Sequence, residues 1–324
     1  MSLRRGAVAS VVVVACLAAL SGTAGAVTQP VAMAAPYEYL GWGDPQPPTQ
    51  VMAATGVHDL TLAFILSHGS CNPEWDGSRP LAGGVDASTI TAIRTAGGDV
   101  DVSIGGWSGK KLGSSCKSVA RLTAAYQRVV AANGLQAVDV DIEHTEVTNA
   151  RTRQRVIAAL AALQQADPAL EISVTFGTDE AGPDGNDVSM IDQAATLGFQ
   201  PYAWTVMPFD FGAPVTDMGA TSIDAAEGLD ADVAAAYHLT PARAYQHVGI
   251  SSMNGKTDET DETVSVSDFQ AMLAFAQSNH LARFTFWSVN RDRSCPAGSP
   301  TSDSCSGIAQ PPYAFTSLVA QYQG

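Results

Sequence analysis

The chain has 324 residues, 46% apolar and 15% charged, with 17 basic against 32 acidic side chains and a formal net charge of -15. That length and apolar content are enough for one large α/β domain or two small ones. The charge argues against a polyanionic partner, nucleic acid or an anionic membrane surface, and leaves a neutral substrate as the easier expectation.

The first 26 residues read as an export signal: Arg4 and Arg5, an apolar run from Ala7 to Leu20 that is short for a membrane span, and a cleavage-type triplet Ala24-Gly25-Ala26. Processing as a lipoprotein at Cys16 is the alternative, opposed by the apolar run continuing past it as Leu17-Ala18-Ala19-Leu20. A secreted, extracellular chain is expected, with residues 27–35 as a lead-in and 36–324 as one domain. Four cysteines remain after the signal: Cys71, Cys116, Cys295 and Cys305. An even count in an exported chain suggests two disulfides among three possible pairings. Cys71 with Cys116 and Cys295 with Cys305 is favoured, the first tying two loops that follow successive strands and the second closing a short loop.

In chain order, a first strand is expected over residues 37–40, followed by Gly41-Trp42-Gly43-Asp44 and a helix over 49–55 stopped by Gly56. A buried strand at 60–66 leads into a loop carrying His68, Cys71 and Trp75, and Asp86 reads as the N-cap of a helix to Ala96. The third strand, 100–104, ends in Ser103-Ile104-Gly105-Gly106-Trp107, and a helix follows over 119–132. The stretch Ala137-Val138-Asp139-Val140-Asp141-Ile142-Glu143 then alternates acids with β-branched residues at the period of a strand, which puts three carboxylates on one face. Neighbouring carboxylates repel, so at least one is expected to keep a proton near neutrality, as a general acid requires. A solvated acidic edge and a divalent-metal site are the other readings of the same residues.

Further units follow: a helix at 152–165 and strand at 171–176, a helix at 188–196, and a strand at 202–207 running into Pro208-Phe209-Asp210. A helix at 223–237 precedes a strand at 248–251 and an acidic loop at 255–262, whose run Asp258 to Glu262 reads as solvated, with Asp258 placed where it could reach a groove. Ser267 is expected to cap a helix to Asn279, ahead of a strand at 283–287 and a last helix at 314–322. Strands alternating with helices imply parallel pairing, and eight such units predict an α/β fold of the closed (β/α)8 type, the TIM barrel, as a single domain. A doubly wound open sheet fits less well, because no Gly-x-Gly-x-x-Gly turn follows the first strand. Barrels of this type place chemistry at the C-terminal ends of their strands, where Glu143, Ser103, Met207 and Trp287 fall.

These residues resemble the chitinase-type glycoside hydrolase family 18, in a bacterial branch. The family's Asp-x-x-Asp-x-Asp-x-Glu is matched by residues 136–143 with Gln136 in place of the first acid, its Ser-x-Gly-Gly by Ser103-Ile104-Gly105-Gly106, its Met-x-Tyr-Asp by Met207-Pro208-Phe209-Asp210, and its last-strand tryptophan by Trp287. The resemblance implies substrate-assisted hydrolysis of β-1,4 bonds in chitin or N-acetylglucosamine oligomers. In it Glu143 is the general acid, Asp141 orients the substrate acetamide, and Asp139 shares a proton with Asp141. Asp210 and Met207 line the sugar site, and Trp287 forms its floor. Gln136 removes a buried charge and so alters the proton distribution over Asp139 and Asp141, Ala137 replaces a usual glycine, and Phe209 lacks the family's tyrosine hydroxyl.

Ser103 and the two glycines have a structural reading, tight packing of the barrel, beside a substrate-binding one. Trp42, Trp75 and Trp107 fall at strand ends and suit either sugar stacking or loop packing, whereas Trp204 has the parity of the core. His68 and His144 are structural by default, His144 with outward parity. No metal or cofactor is expected, and a monomer is. Two other readings stand beside the chitinase one: an endo-β-N-acetylglucosaminidase acting on N-glycans and a non-catalytic chitin-binding lectin. A metal-dependent hydrolase using Asp139, Asp141 and Glu143 as ligands is a third.

Overall fold

The computed structural model describes residues 2, 29–259 and 261–324. The expected export signal and Cys16 lie outside these, apart from residue 2. Eight parallel strands close on themselves: β1 (Tyr37–Tyr39), β2 (Leu60–His68), β3 (Val100–Gly105), β4 (Ala137–Asp141), β5 (Glu171–Gly177), β6 (Ala203–Met207), β7 (Val248–Met253) and β8 (Arg283–Trp287). Each pairs with its neighbour in sequence, and β1 pairs with both β2 and β8, which completes the TIM barrel.

The period-two pattern of the strands decides which side meets the helices. Val100, Val102, Ile104, Val138, Val140, Ile172, Val174, Trp204, Val206, Ile250, Phe284 and Phe286 are buried in one apolar cluster with helix residues such as Leu122, Val156, Leu160, Met190, Leu229 and Phe269. Removing that apolar surface from water is the main force holding the helical layer to the barrel. The alternate positions face the barrel interior and are polar: Thr61, Asp101, Ser103, Asp139, Ser173, Thr175, Thr205, Ser251, Arg283 and Thr285 are all buried. Burying polar groups is costly unless they are paired, and Thr61, Asp101 and Asp139 find a shared partner in Arg283.

The lead-in is part of the barrel rather than a tail. Val31 and Ala32 pack on Ala137 and Tyr202 at the N-terminal mouth, and the Ala32 N–H donates to Glu171 Oε2 at 3.0 Å. Ala137 is itself fully buried in this small cluster.

Four local expectations are corrected. The stretch after β2 is not only a loop: Asn72–Trp75 forms a strand antiparallel to β2, which takes Trp75 into the core. Asp86 is not an N-cap but sits within helix Gly84–Thr95, buried and bonded by both Arg79 Nε and Nη2. Helix Val266–Asn279 is capped by Ser265, not Ser267, through a reciprocal box with Asp268. The acidic loop is pinned by a short hairpin, Gly255–Lys256 against Thr263–Val264.

The disulfides are Cys71–Cys116 and Cys295–Cys305, closing separations of 45 and 10 residues. From loop-closure entropy the first is worth about 4 kcal/mol and the second about 3 kcal/mol. Urea unfolding of Cys71→Ser/Cys116→Ser is thus expected to show the larger loss of the two double variants; equal or inverted losses would show that strain or residual structure dominates.

Candidate active site

β4 positions the acids. Asp139, halfway along it, is fully buried and its carboxyl is saturated. The Tyr37 hydroxyl (2.8 Å) and Ser103 Oγ (2.6 Å) donate to Oδ2, and Thr175 Oγ1 (2.6 Å) and Arg283 Nη1 (2.7 Å) donate to Oδ1. A carboxylate offers about four lone-pair sites, so all are taken. The guanidinium can only donate, and burial pushes the Tyr37 hydroxyl well above its usual range, so it keeps its proton. The same saturation leaves Asp139 no oxygen for a metal, and among the described residues no group of three or more His, Cys, Asp or Glu is arranged to hold one.

Arg283 was not legible as a functional residue in the sequence. It lies at the start of β8, fully buried, with Nη2 3.3 Å from Asp101 Oδ2 and 3.1 Å from Thr61 Oγ1, and its guanidinium stands 5.3 Å from the Tyr37 ring centre. Burial lifts Asp101 to about 7, with Arg283 opposing the rise and Asp139 adding to it.

One turn of the strand further, Asp141 and then Glu143 reach the C-terminal mouth. Both border a cleft of about 940 Å³, counting its open mouth, together with Tyr37, Tyr39, Trp42, Trp107, Met207, Asp210 and Trp287. The end of β3 approaches β4 so closely that a side chain at Gly105 would fall 2.0 Å from the Asp141 carbonyl, and one at Gly106 would strike the Phe64 ring. Their positive φ values, 124° and 82°, also call for glycine. The packing reading of these glycines holds, and Ser103 lies below the cleft on Asp139 rather than in its wall.

Burial pushes Asp141 well above the usual carboxyl range, reinforced by Glu143 and Asp139, and its Oδ1 has no partner among the described residues. Burial also lifts Glu143, to about 7, with Lys111 opposing and Asp210 adding to the rise. At neutral pH the mouth of the cleft thus holds a carboxyl poised to give up a proton beside one with an unfilled acceptor.

Asp210 faces the cleft through a left-handed backbone (φ 55°), and its Oδ1 accepts the N–H groups of Asp258 (3.0 Å) and Glu259 (3.1 Å). The acidic run was expected to be a solvated loop. Instead Glu262 is buried, and its two oxygens take the backbone N–H groups of Asp210 (2.7 Å) and Phe211 (2.8 Å). Asp258 does border the cleft. Trp287 forms the floor, stacked on Phe64 with ring centres 5.4 Å apart. Trp42 and Trp107, 48% and 68% exposed, stand at the rim, while Trp75 and Trp204 are buried core residues. Phe209 borders the cleft without a hydroxyl, and Ser251 supplies one from β7. His144 is exposed and lies against Trp107; His68 bonds the Gly77 carbonyl away from the cleft. Gln136 is exposed at the opposite end of β4, its amide on Asp99 Oδ2, so it does not bear on Asp139 or Asp141.

No family model matches the chain. Over 287 residues it is 28% identical to a probable bifunctional chitinase/lysozyme of Escherichia coli (strain K12), a match covering 82% of this chain and 32% of that one. The chain therefore spans about a third of the length of that curated relative. Its fold superposes on the catalytic domain of a hyperthermophilic chitinase from Pyrococcus furiosus with a TM-score of 0.80 at 25% identity, covering 92% of this chain and 98% of that one. It shares the fold of a GH18 chitinase from Pseudoalteromonas aurantia, with a TM-score of 0.55 at 15% identity over 78% of this chain and 93% of that one. With the acid strand, the Ser-x-Gly-Gly turn, Asp210 and Trp287 gathered at one mouth of the barrel, the chain is similar in sequence and fold to chitinases of the glycoside hydrolase family 18 type.

Proposed function

We propose that this protein hydrolyses β-1,4 linkages next to N-acetylglucosamine, in chitin or its oligomers, with retention and with the substrate's own amide as nucleophile. The observation that carries this reading is the pairing of Glu143 and Asp141 in one cleft above Trp287, with no further free carboxylate of β4 in reach to attack the sugar. Glu143, protonated below about pH 7, gives its proton to the glycosidic oxygen as the bond to the anomeric carbon breaks. The acetamido carbonyl oxygen closes on the anomeric carbon and forms an oxazolinium ion. Asp141 Oδ1, lacking a partner among the described residues, accepts the acetamide N–H and orients that attack. Trp287 supports the apolar face of the ring, and Asp210, held rigid by backbone N–H groups, borders the same sugar. Water then adds to the anomeric carbon from the face that the leaving group vacated, with Glu143 taking its proton.

The Glu143 carboxyl, lifted by burial at the cleft, supports catalysis over plain binding. Export and an oxidising compartment are proposed on the signal-like start and the two disulfides. The test is proton NMR of the first product from an N-acetylglucosamine oligomer. Retained β-anomer is expected; initial α-anomer would exclude amide assistance. Running an N-glycan core beside the oligomer decides between the chitin reading and an endo-glycosidase.

A further inference from the structure

Lys111 lies between β3 and the short helix Leu112–Ser115 and is 5% exposed, although lysine is rarely buried unless paired. Its Nζ donates to the carbonyls of Gly106 and of Ser108, the latter at 2.5 Å. Those carbonyls flank Trp107, so the ammonium clamps the loop that presents the exposed indole to the cleft.

The Gly106 backbone that this ammonium holds is itself bonded to β4, its N–H donating to the Asp141 carbonyl at 3.1 Å, and the charges of Glu143, Asp141 and Glu146, the last in the short helix Thr145–Thr148, act on the ammonium. Glu146 is itself buried, and a side chain at Gly113 would fall 2.2 Å from its Oε1. Backbone N–H groups of Gly113 and Ser114 and the charge of Arg155 also act on Glu146, and Tyr126 packs nearby. Asp210 faces Glu143 from β6.

We propose that Lys111 is a positioning residue for the hydrolysis, one side chain that fixes the Trp107 loop and supplies the counter-charge that sets how readily Glu143 releases its proton. This rests on the reading of Glu143 as proton donor. The chemistry requires such a counter-charge. An acid raised by burial alone holds its proton too firmly to donate it well, and a cation close by lowers that affinity toward the working pH. Burial lifts Glu143 to about 7, and Lys111 is the group opposing the rise. Burial in turn lowers the proton affinity of Lys111, an effect the three carboxyls oppose but do not cancel.

Two variants separate the clamp from the charge. Lys111→Gln keeps amide donors for both carbonyls and loses the charge, whereas Lys111→Met loses both. In kcat/KM against pH on N-acetylglucosamine oligomers, the alkaline limb is expected about one pH unit higher in each. KM is expected to rise about tenfold in Lys111→Met, whose indole platform is released, and to stay within about threefold in Lys111→Gln. A limb unmoved in Lys111→Gln would overturn the proposal and leave Lys111 a loop anchor. Should Lys111→Met not fold, Lys111→Gln decides alone. Glu146, also lifted by burial to about 7, is the control: Glu146→Gln is expected to leave the limb in place, and a limb abolished there would assign it to Glu146 and sink the proposal. Carbon-13 NMR titration of the Glu143 carboxyl, assigned with Glu143→Gln, reads the same shift without substrate. A chain that cleaves no oligomer yet shows that shift in Lys111→Gln would refute the proposed function and keep the role of Lys111.

Discussion

Glu143→Gln is expected to lower kcat on N-acetylglucosamine oligomers at least about a hundredfold, the usual contribution of a positioned general acid, with KM little changed. Glutamine fills the same volume and can still hydrogen-bond the glycosidic oxygen, but it has no proton to transfer. The loss should therefore appear in the chemical step, and leaving groups that depart without protonation should recover much of it. The pH dependence follows from the same group. Burial raises Glu143 to about 7, so the donating form is complete well below that pH and is lost as pH rises through it, and kcat/KM should fall on the alkaline side near pH 7. Wild-type rates in Glu143→Gln, or a neutral plateau extending unbroken to pH 9, would remove Glu143 from the role.

Arg283→Met is expected to cost about 3–5 kcal/mol of stability, measured by urea unfolding, because it leaves two buried aspartates without their cation. Asp139 would lose its 2.7 Å partner and Asp101 its 3.3 Å one, and all three side chains are fully buried. The triple variant Arg283→Met/Asp101→Asn/Asp139→Asn removes the cluster as a unit and should recover most of that loss, since buried ion clusters contribute little net stability when replaced entire. Its activity should nevertheless stay low, because the Asp139 carboxyl held below Asp141 is gone. A loss under about 1 kcal/mol in Arg283→Met would mean that water or neighbouring hydroxyls already compensate these charges.

The acid strand, Ser103-Ile104-Gly105-Gly106, Asp210 and Trp287 could be placed from the sequence because each stands at a fixed offset within one strand-and-turn unit. The strand period then says which side chains share a face. That is also why Trp204 was assigned correctly to the core, and why Gln136 was misjudged. A motif position says nothing of height in the barrel, and three residues below Asp139 the chain has already reached the opposite mouth.

The sequence alone determined the repeating units, the closure into a barrel, the face on which Asp139, Asp141 and Glu143 lie, and the cysteines that pair. Only the tertiary structure decided the charge arrangement around them. Arg283 meets Asp139 across 144 positions of chain, Glu262 meets the Asp210 backbone across 52, and Lys111 faces an acid on the next strand. Such pairs carry no period or spacing to read. They exist because closing the barrel forces polar inward-facing side chains out of water, and each buried charge is stable only beside the partner that closure happens to bring to it.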